Sequence, residues 1–355
     1  MCDPRSAGAD ARLQPRSPSS LPVFGSFPRR DQRRWGECYP RGLMLDGRRK
    51  SVQSMAERLP DGNMQAGSAA VREPVAVGLA AGAPAGREQL CEVIRPEEWA
   101  GDHHRRRRAG IPDEVGHASK TRLALGLLDR LAAQGLKVPV IVADAGYGRS
   151  ITFRLALEER GWSYVMAVDP KEIARPADAE PYQPAYGGLG PPTLRRYREA
   201  PRPLLGLVEE AAAFGEVTWR QGSKGTMTSR FAVLQVRPSG KEACRTAQER
   251  AGGRNRWDGV LPLRTLLVEQ PEEADGPTGY WMTNLPAATP VADLVRWAKM
   301  RWRIEHDYRE LKHGLGLDHF EGRTWRGWHH HVTLVTAAQA FLTLRRLDPK
   351  AQTPA

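Results

Sequence analysis

The chain has 355 residues, enough for two domains or for one domain that carries an insertion. It has 53 Lys and Arg against 41 Asp and Glu, a formal net charge of +12, and such a balance favours a polyanionic partner, nucleic acid first, although basic soluble enzymes are also common. The cysteines lack metal-site spacing and suggest no disulfide framework. Residues 1–20 lack the apolar core of a signal peptide, and no apolar run reaches bilayer length, so we expect a cytoplasmic protein without a membrane partner.

The N-terminal part of the chain lacks a clear core pattern. Residues 1–37 are rich in Pro, Ser, Gly and Arg, which predicts disorder. Residues 38–66 predict short helices with basic residues between them, either a remnant of a DNA-contacting helical domain or a small packing unit. Residues 67–118 form an irregular junction, with an Ala/Gly-rich low-complexity stretch at 67–86 and an Arg-rich run at 102–108 that predicts a solvated loop.

Residues 119–168 carry the first clear α/β pattern. Ser119 can cap a helix that runs to about Gln134, because leucines recur there at helical spacing. An apolar strand, a glycine turn, a second helix and a second apolar strand follow, at 138–143, 145–150, 151–160 and 163–168. A strand–helix–strand unit of this kind predicts an α/β fold.

Asp144 follows the first of these strands directly and precedes the glycine turn. Open α/β sheets place their catalytic groups at the carboxyl ends of strands, so Asp144 is a candidate site residue. An ordinary turn or N-cap carboxylate is an equally good interpretation of its position.

Residues 169–286 predict a β-rich region, with strands at 231–236, 264–268 and 280–283 and a charged surface loop at 240–258. The segment from Trp219 to Gly225 is a basic glycine turn beside an aromatic residue. Such a turn can bind phosphate through backbone N–H groups while Trp219 stacks on a base, but the pattern favours a plain hairpin.

Residues 287–346 predict two helices, and residues 347–355 form a tail. The first helix, at about 291–313, places Arg301, Glu305, Tyr308 and Lys312 on one face. One carboxylate between two cations suits a metal-and-phosphate site, and by spacing alone it suits an ordinary face with ion pairs better. The second helix, at about 327–346, begins with three adjacent histidines that cannot all face one metal, so we interpret them as a polar helix start.

Two of these stretches together resemble a DDE-type insertion-sequence transposase with an RNase H-like core. Residues 140–148 are similar to the strand that bears the second catalytic Asp of that family. Arg301, Glu305 and Lys312 match most of the family's Tyr-x2-Arg-x3-Glu-x6-Lys signature, whose Tyr is replaced here by Ala298. Residues 280–286 and 316–323 also look familial.

The resemblance implies two-metal phosphodiester transfer, with Mg²⁺ as the cofactor and Mn²⁺ as the alternative. Asp144 and Glu305 would be the catalytic metal ligands. The implied DNA-contacting residues are Arg301, Lys312, Trp219, Lys224 and Arg149. The implied partners are double-stranded DNA, as terminal inverted repeats and target, and a second copy of the chain in a nucleoid-associated dimer. The implied fold is an RNase H-like core with a β-rich insertion before the helix of Glu305.

The first catalytic Asp of the family has no counterpart here. Asp102 is the nearest candidate, but the helix at Ser119 begins only 17 residues later, and three core strands of about 5–6 residues each do not fit between them. Asp46 lies in a helical context. We therefore predict an internal deletion that leaves the RNase H-like core incomplete and impairs catalysis. The alternative is a catalytically dead DNA-binding remnant that competes with a full-length transposase.

Overall fold

The computed structural model describes residues 101–136, 138–188, 193–222 and 225–347, with the side chains of residues 301, 302 and 347 outside that description. The predictions for residues 1–100 and for the tail lie outside the described residues. The chain divides into two compact units, Ala118–His306 and the combination of Met1–His117 with Asp307–Ala355.

Helices and strands are interspersed along the described part of the chain, and its last elements are helices. Helices α1 to α9 span His103–Ala109, Lys120–Ala133, Ala145–Gly148, Ile151–Glu159, Leu204–Ala211, Lys241–Arg250, Val291–Ala298, Arg301–Arg309 and Trp325–Leu347. Strands β1 to β8 span Ile141–Ala143, Tyr164–Ala167, Ile173–Pro176, Arg202–Pro203, Gly215–Gly222, Gly225–Pro238, Arg264–Gln270 and Gly279–Thr283. A π-helical turn at Glu310–Gly314 follows α8 directly.

The strands form one mixed sheet in the order β1-β2-β8-β7-β6-β3-β4, with β5 paired to β6. Strands β1 and β2 are parallel, with Ile141 opposite Tyr164, and α4 lies in the crossover between them. Strand β2 also pairs antiparallel with β8, so the strand–helix–strand unit and the β-rich region share one sheet. The predicted α/β class is confirmed, and the predicted hairpin is the β5–β6 pair.

Apolar side chains cover both faces of this sheet. Leu266 and Val268 of β7 pack in a cluster with α5, while Leu267 between them packs with α7, because successive strand residues point to opposite faces. A third cluster joins α4 to β2 through Phe153, Leu157, Trp162, Tyr164 and Met166. None of the helices in the described part of the chain has both the length and the apolar character of a membrane span.

Two predicted loops are helices. Helix α1 replaces the solvated loop at 102–108: Asp102 caps it by accepting a hydrogen bond from Arg105 N at 3.0 Å, and Arg106 is buried against the carbonyls that follow the helix. Helix α6 replaces the surface loop at 240–258, because Ala243 and Thr246 turn inward on an otherwise charged segment. Because the buried residues of this helix are small, its sequence shows only a weak apolar periodicity, and the helix could not be predicted from it.

Two other predicted elements are shorter than expected. The first strand begins at Ile141 rather than at residue 138, after Pro139, which lacks a backbone donor. The continuous helix at 291–313 is instead two helices, α7 and α8, interrupted after Ala298 and followed by the π-helical turn. The predicted strand at 231–236 is the longer strand Gly225–Pro238, and the predicted glycine turn contains the short helix Ala145–Gly148. The remaining predicted helices and strands of the described part agree with the structure within about two residues.

The smaller unit contains the buried histidines of α9. The three histidines lie near the start of α9, as predicted, and His330 and His331 are buried there. A ring nitrogen of His331 lies 3.0 Å from the carbonyl oxygen of Gly316, and Phe320 packs on His331 with ring centroids 5.5 Å apart. These contacts connect the segment 316–323 to the start of α9.

Candidate active site

Asp144 lies at the carboxyl end of β1, where it is half-buried. Its Oδ1 accepts a hydrogen bond from Gly146 N at 2.9 Å and so caps the short helix α3. Its backbone carbonyl also accepts from Gly148 N at 2.8 Å. Within the described residues the second carboxylate oxygen has no hydrogen bond, so Asp144 combines the capping position with a carboxylate oxygen that can bind a ligand.

Gly148 holds the Asp144 loop tightly against strand β2. A Cβ atom built on Gly148 would lie 1.9 Å from the carbonyl oxygen of Ala167 and 3.1 Å from Cβ of Met166. No residue with a side chain fits that space, so glycine at this position sets the distance between the loop and the sheet.

Lys120 is a cation at this loop that the sequence did not reveal. Its Nζ lies 5.1 Å from the centroid of the Tyr147 ring and 2.8 Å from the place a Cβ on Gly146 would occupy. Lys120 is the first residue of α2, so only the packing of α2 beside the loop brings its ammonium group there. No local sequence signal connects two segments this far apart.

Arg149 lies on the same loop and forms an ion pair with Asp169. The Arg149 Nε to Asp169 Oδ2 distance is 3.4 Å, and the Arg149 side chain is 64% exposed. Asp169 follows β2, so the pair connects the carboxyl ends of the two parallel strands. An exposed pair of this kind contributes little stability, which leaves the Arg149 guanidinium accessible to a phosphate.

Glu305 is exposed on α8, the helix that carries most of the predicted signature. Asp144 makes no hydrogen bond to Glu305, since its one side-chain hydrogen bond goes to Gly146. Within the described residues, no group of three or more potential metal ligands includes either carboxylate. The side chain of Arg301 lies outside the described residues.

Lys312 lies in the π-helical turn, and its Nζ is 4.6 Å from the centroid of the Tyr308 ring. The structure therefore brings Tyr308 and the signature residue Lys312 together, as their shared face predicted. π-Helical turns recur at functional sites, because the extra residue redirects the side chains around it.

Trp219 is half-buried in β5, within the cluster beneath α7. Its ring meets Phe231 edge to face at 5.8 Å, and Lys299 Nζ lies 4.7 Å from its centroid. Lys299 in turn contacts both carboxylate oxygens of Glu269 at 2.5 Å. These contacts give Trp219 a packing role in the hairpin. Lys224 lies outside the described residues.

The donor chemistry of the two carboxylates fits a hard cation such as Mg²⁺, which binds carboxylate oxygens. Asp144 offers an oxygen to which no described residue donates a hydrogen bond, and Glu305 is exposed on its helix. Lys120 and Arg149 add positive charge beside Asp144. Carboxylates with neighbouring cations suit a site for metal-bound phosphate esters.

Comparison with known families matches most of the first two thirds of the chain. The sequence model of the family described as "DDE superfamily endonuclease" matches residues 22–91 and residues 71–226. Together the matches extend from residue 22 to residue 226, more than half of the 355-residue chain. Asp144, Arg149 and Trp219 lie inside the matched region, and Glu305 and Lys312 lie beyond it. No curated protein matches the chain.

Proposed function

Because the chain belongs to the DDE superfamily endonucleases, we propose that it derives from an insertion-sequence transposase of the Tyr-Arg-Glu-Lys signature class, which binds transposon-end DNA and transfers its strands. The observation that carries this proposal is Asp144 at the carboxyl end of β1 with an unbonded carboxylate oxygen, within the family match. The exposed Glu305 on the signature helix supplies the second carboxylate.

The candidate site residues have separate roles in this proposal. Asp144 and Glu305 would hold Mg²⁺, with Mn²⁺ as the alternative. The bound metal would activate the attacking hydroxyl and stabilise the leaving oxygen. Lys120 and Arg149 would bind DNA phosphates beside Asp144, and Arg301 and Lys312 would bind them along the signature helix.

We further propose that catalysis is impaired because the first Asp of the DDE set has been lost. Asp102, the nearest candidate, is occupied as the cap of α1, where the hydrogen bond from Arg105 N lowers the pKa of its carboxyl below the usual value. A site with two of three carboxylates binds two metals weakly, so strand transfer should be nearly abolished.

The burial of β1 supports the loss of a neighbouring strand. Each residue of β1 is only half-buried although the strand is apolar, whereas Tyr164, Val165 and Met166 of its neighbour β2 are fully buried. Apolar side chains next to β1 are also exposed, with Leu136 at 53% and Val138 at 38%. A strand of this composition is normally covered on both sides.

The family match supports a break at the same place in the chain. It comes in two segments that overlap at residues 71–91, within the irregular junction. An internal deletion there would remove core strands between the N-terminal part and α2.

A cleavage assay tests the proposal. Purified full chain is incubated with supercoiled DNA that carries the sequences flanking its gene, with and without Mg²⁺ or Mn²⁺. We expect binding without efficient nicking. Robust metal-dependent nicking that Asp144→Asn abolishes would support the endonuclease but contradict the impairment, and failure to bind any DNA would contradict the transposase derivation.

A catalytically dead DNA-binding protein is the second candidate function, favoured by the net charge of +12. In that case the chain would protect the element ends in a footprinting experiment and inhibit a full-length copy. Asp144→Asn would then leave the footprint unchanged, because a metal ligand contributes little to binding through phosphate-contacting cations. By analogy we propose a dimer, which light scattering would detect.

A further inference from the structure

A cavity of about 580 Å³ lies within the unit Ala118–His306, and neither proposed metal ligand belongs to its lining. Its lining comes mainly from α4, from α6 and from the segment 256–264, which leads into β7. Its volume is within the range of small-molecule sites in proteins. The proposed transposase chemistry assigns no role to it.

Arginines dominate the polar lining of this cavity. Five guanidinium groups contribute to it, and they belong to Arg154, Arg237, Arg250, Arg256 and Arg264. The lining carboxylates are those of Glu158 and Asp258. Glu172, outside the lining, neutralises Arg154 through contacts of 2.6 and 2.7 Å. Three carboxylates against five guanidinium groups leave an excess of two positive charges.

Glu158 is already committed to its own partners. Arg264 Nε donates to its Oε1 at 2.8 Å, and the Tyr164 hydroxyl donates to the same oxygen at 3.0 Å. Burial raises the pKa of Glu158, but the hydrogen bonds and the charge of Arg264 outweigh burial, so the pKa is lowered on balance. Glu158 therefore stays ionised and fixes Arg264 as part of the wall.

Two other arginines of the lining, Arg237 and Arg256, have no carboxylate partner among the described residues, whereas Arg250 Nη1 lies 3.3 Å from Glu158 Oε2 and its side chain is 40% exposed. Arg237 Nε donates to the carbonyl of Ala177 at 3.0 Å and so retains its full charge. The Arg256 side chain is exposed, and the described residues provide it with no hydrogen bond or ion pair. Arg154 is only 3% exposed, and its Nε is buried with no hydrogen-bond partner in the part of the chain that the structure describes. A buried donor without a partner costs free energy, and a bound acceptor would remove that cost.

The remaining wall is apolar and contains an indole. Trp257 Nε1 donates to the carbonyl of Val260 at 3.0 Å, which fixes the ring at the cavity. Aliphatic groups complete the lining, from Ile151, Leu155, Ala247, Leu261 and Pro262. Cationic donors beside an indole and aliphatic groups suit a ligand with an anionic end and a flat ring.

From this lining we propose that the cavity binds a nucleotide, with its phosphate on Arg256 and Arg250 and its ring beside Trp257. The same chemistry has two sources, a free mononucleotide or a nucleotide at the end of a DNA strand. The site is independent of the proposed metal site, because none of its residues is a proposed metal ligand.

Isothermal titration of the full chain tests the proposal without any cleavage readout. The probes are dAMP, its unphosphorylated nucleoside deoxyadenosine, and a short single-stranded oligonucleotide with and without a 5′ phosphate. We expect saturable binding that requires the phosphate. Arg256→Ala and Arg250→Ala should each weaken it about ten-fold or more, since each removes a charged hydrogen-bond donor.

Arg245→Ala is the matched control. Arg245 lies on the same helix as Arg250 and pairs with Glu242 and Glu249 on the exposed side, outside the cavity lining. It should bind the probes as the wild type does. Thermal unfolding of each variant separates lost binding from lost folding.

Each outcome decides between the sources or overturns the proposal. If dAMP binds in a phosphate-dependent way and Arg256→Ala weakens this binding, the ligand of the cavity is a free nucleotide. Binding of the phosphorylated oligonucleotide alone, again weakened by Arg256→Ala, assigns a DNA end. The proposal is wrong if neither dAMP nor the phosphorylated oligonucleotide binds, or if deoxyadenosine binds as well as dAMP. It is also wrong if Arg245→Ala weakens binding as much as Arg256→Ala does.

Discussion

Replacing Gly148 by alanine should loosen the Asp144 loop from the sheet. The new Cβ would lie 1.9 Å from the carbonyl oxygen of Ala167, whereas real Cβ contacts essentially never fall below 3.0 Å. Helix α3 and strand β2 would therefore have to separate by about 1 Å, in a region packed to the density of a crystal. The oxygen belongs to the backbone of a strand that pairs on both edges, so it cannot rotate away.

The expected cost is about 3 kcal/mol, the upper end of the range for overpacking. For a unit of this size such a loss lowers the melting temperature by about 6–12 °C. Gly148 has an ordinary helical backbone, so alanine causes no strain apart from the contact. The measurement is urea unfolding followed by circular dichroism, with thermal unfolding in parallel.

Gly126→Ala is the matched control, because Gly126 lies inside α2 and the nearest atom to its new Cβ is the Arg130 side chain at 3.9 Å. Alanine there should stabilise by about 0.5–1 kcal/mol. If Gly148→Ala unfolds at the same urea concentration as the wild type, the loop does not pack on β2 as described. The proposed position of Asp144 would then lose its support.

Three further predictions concern buried charges. Lys299→Met leaves the buried Glu269 carboxylate unpaired and should cost about 3–5 kcal/mol in urea unfolding, whereas replacing both residues by methionine should restore most of it. Arg264→Met removes the main ion-pair partner of the buried Glu158 carboxylate. The variant should lose additional stability as pH rises from 4 to 7, because the buried carboxyl then ionises without that partner. Burial and His330 lower the pKa of His329 from 6.5 to about 4, so the unfolded chain binds more protons than the folded chain between those pH values. The melting temperature should therefore fall as the pH is lowered across that window. His329→Phe should reduce this fall, and an unchanged pH profile would contradict the burial of His329.

The local elements and the family were accessible from the sequence. The cap at Ser119 and the leucine period predicted α2, and the apolar run before the glycine turn predicted where Asp144 lies. The resemblance to DDE transposases is confirmed by the family match. Each of these signals lies within a short window, because capping, periodicity and signature motifs all depend on residues a few positions apart.

Only the tertiary structure decided the surroundings of those residues. Lys120 reaches the Asp144 loop because α2 packs beside it, and Gly148 is required because β2 approaches within contact distance. The half-burial of β1 and the arginine cavity depend in the same way on strand pairing and on helix packing between distant segments. A sequence pattern predicts which face of a helix or strand is apolar, but the tertiary packing of distant segments determines which segment covers that face. For this reason Asp144 could be predicted from the sequence as a candidate site residue, whereas the residues around it became known only from the tertiary structure.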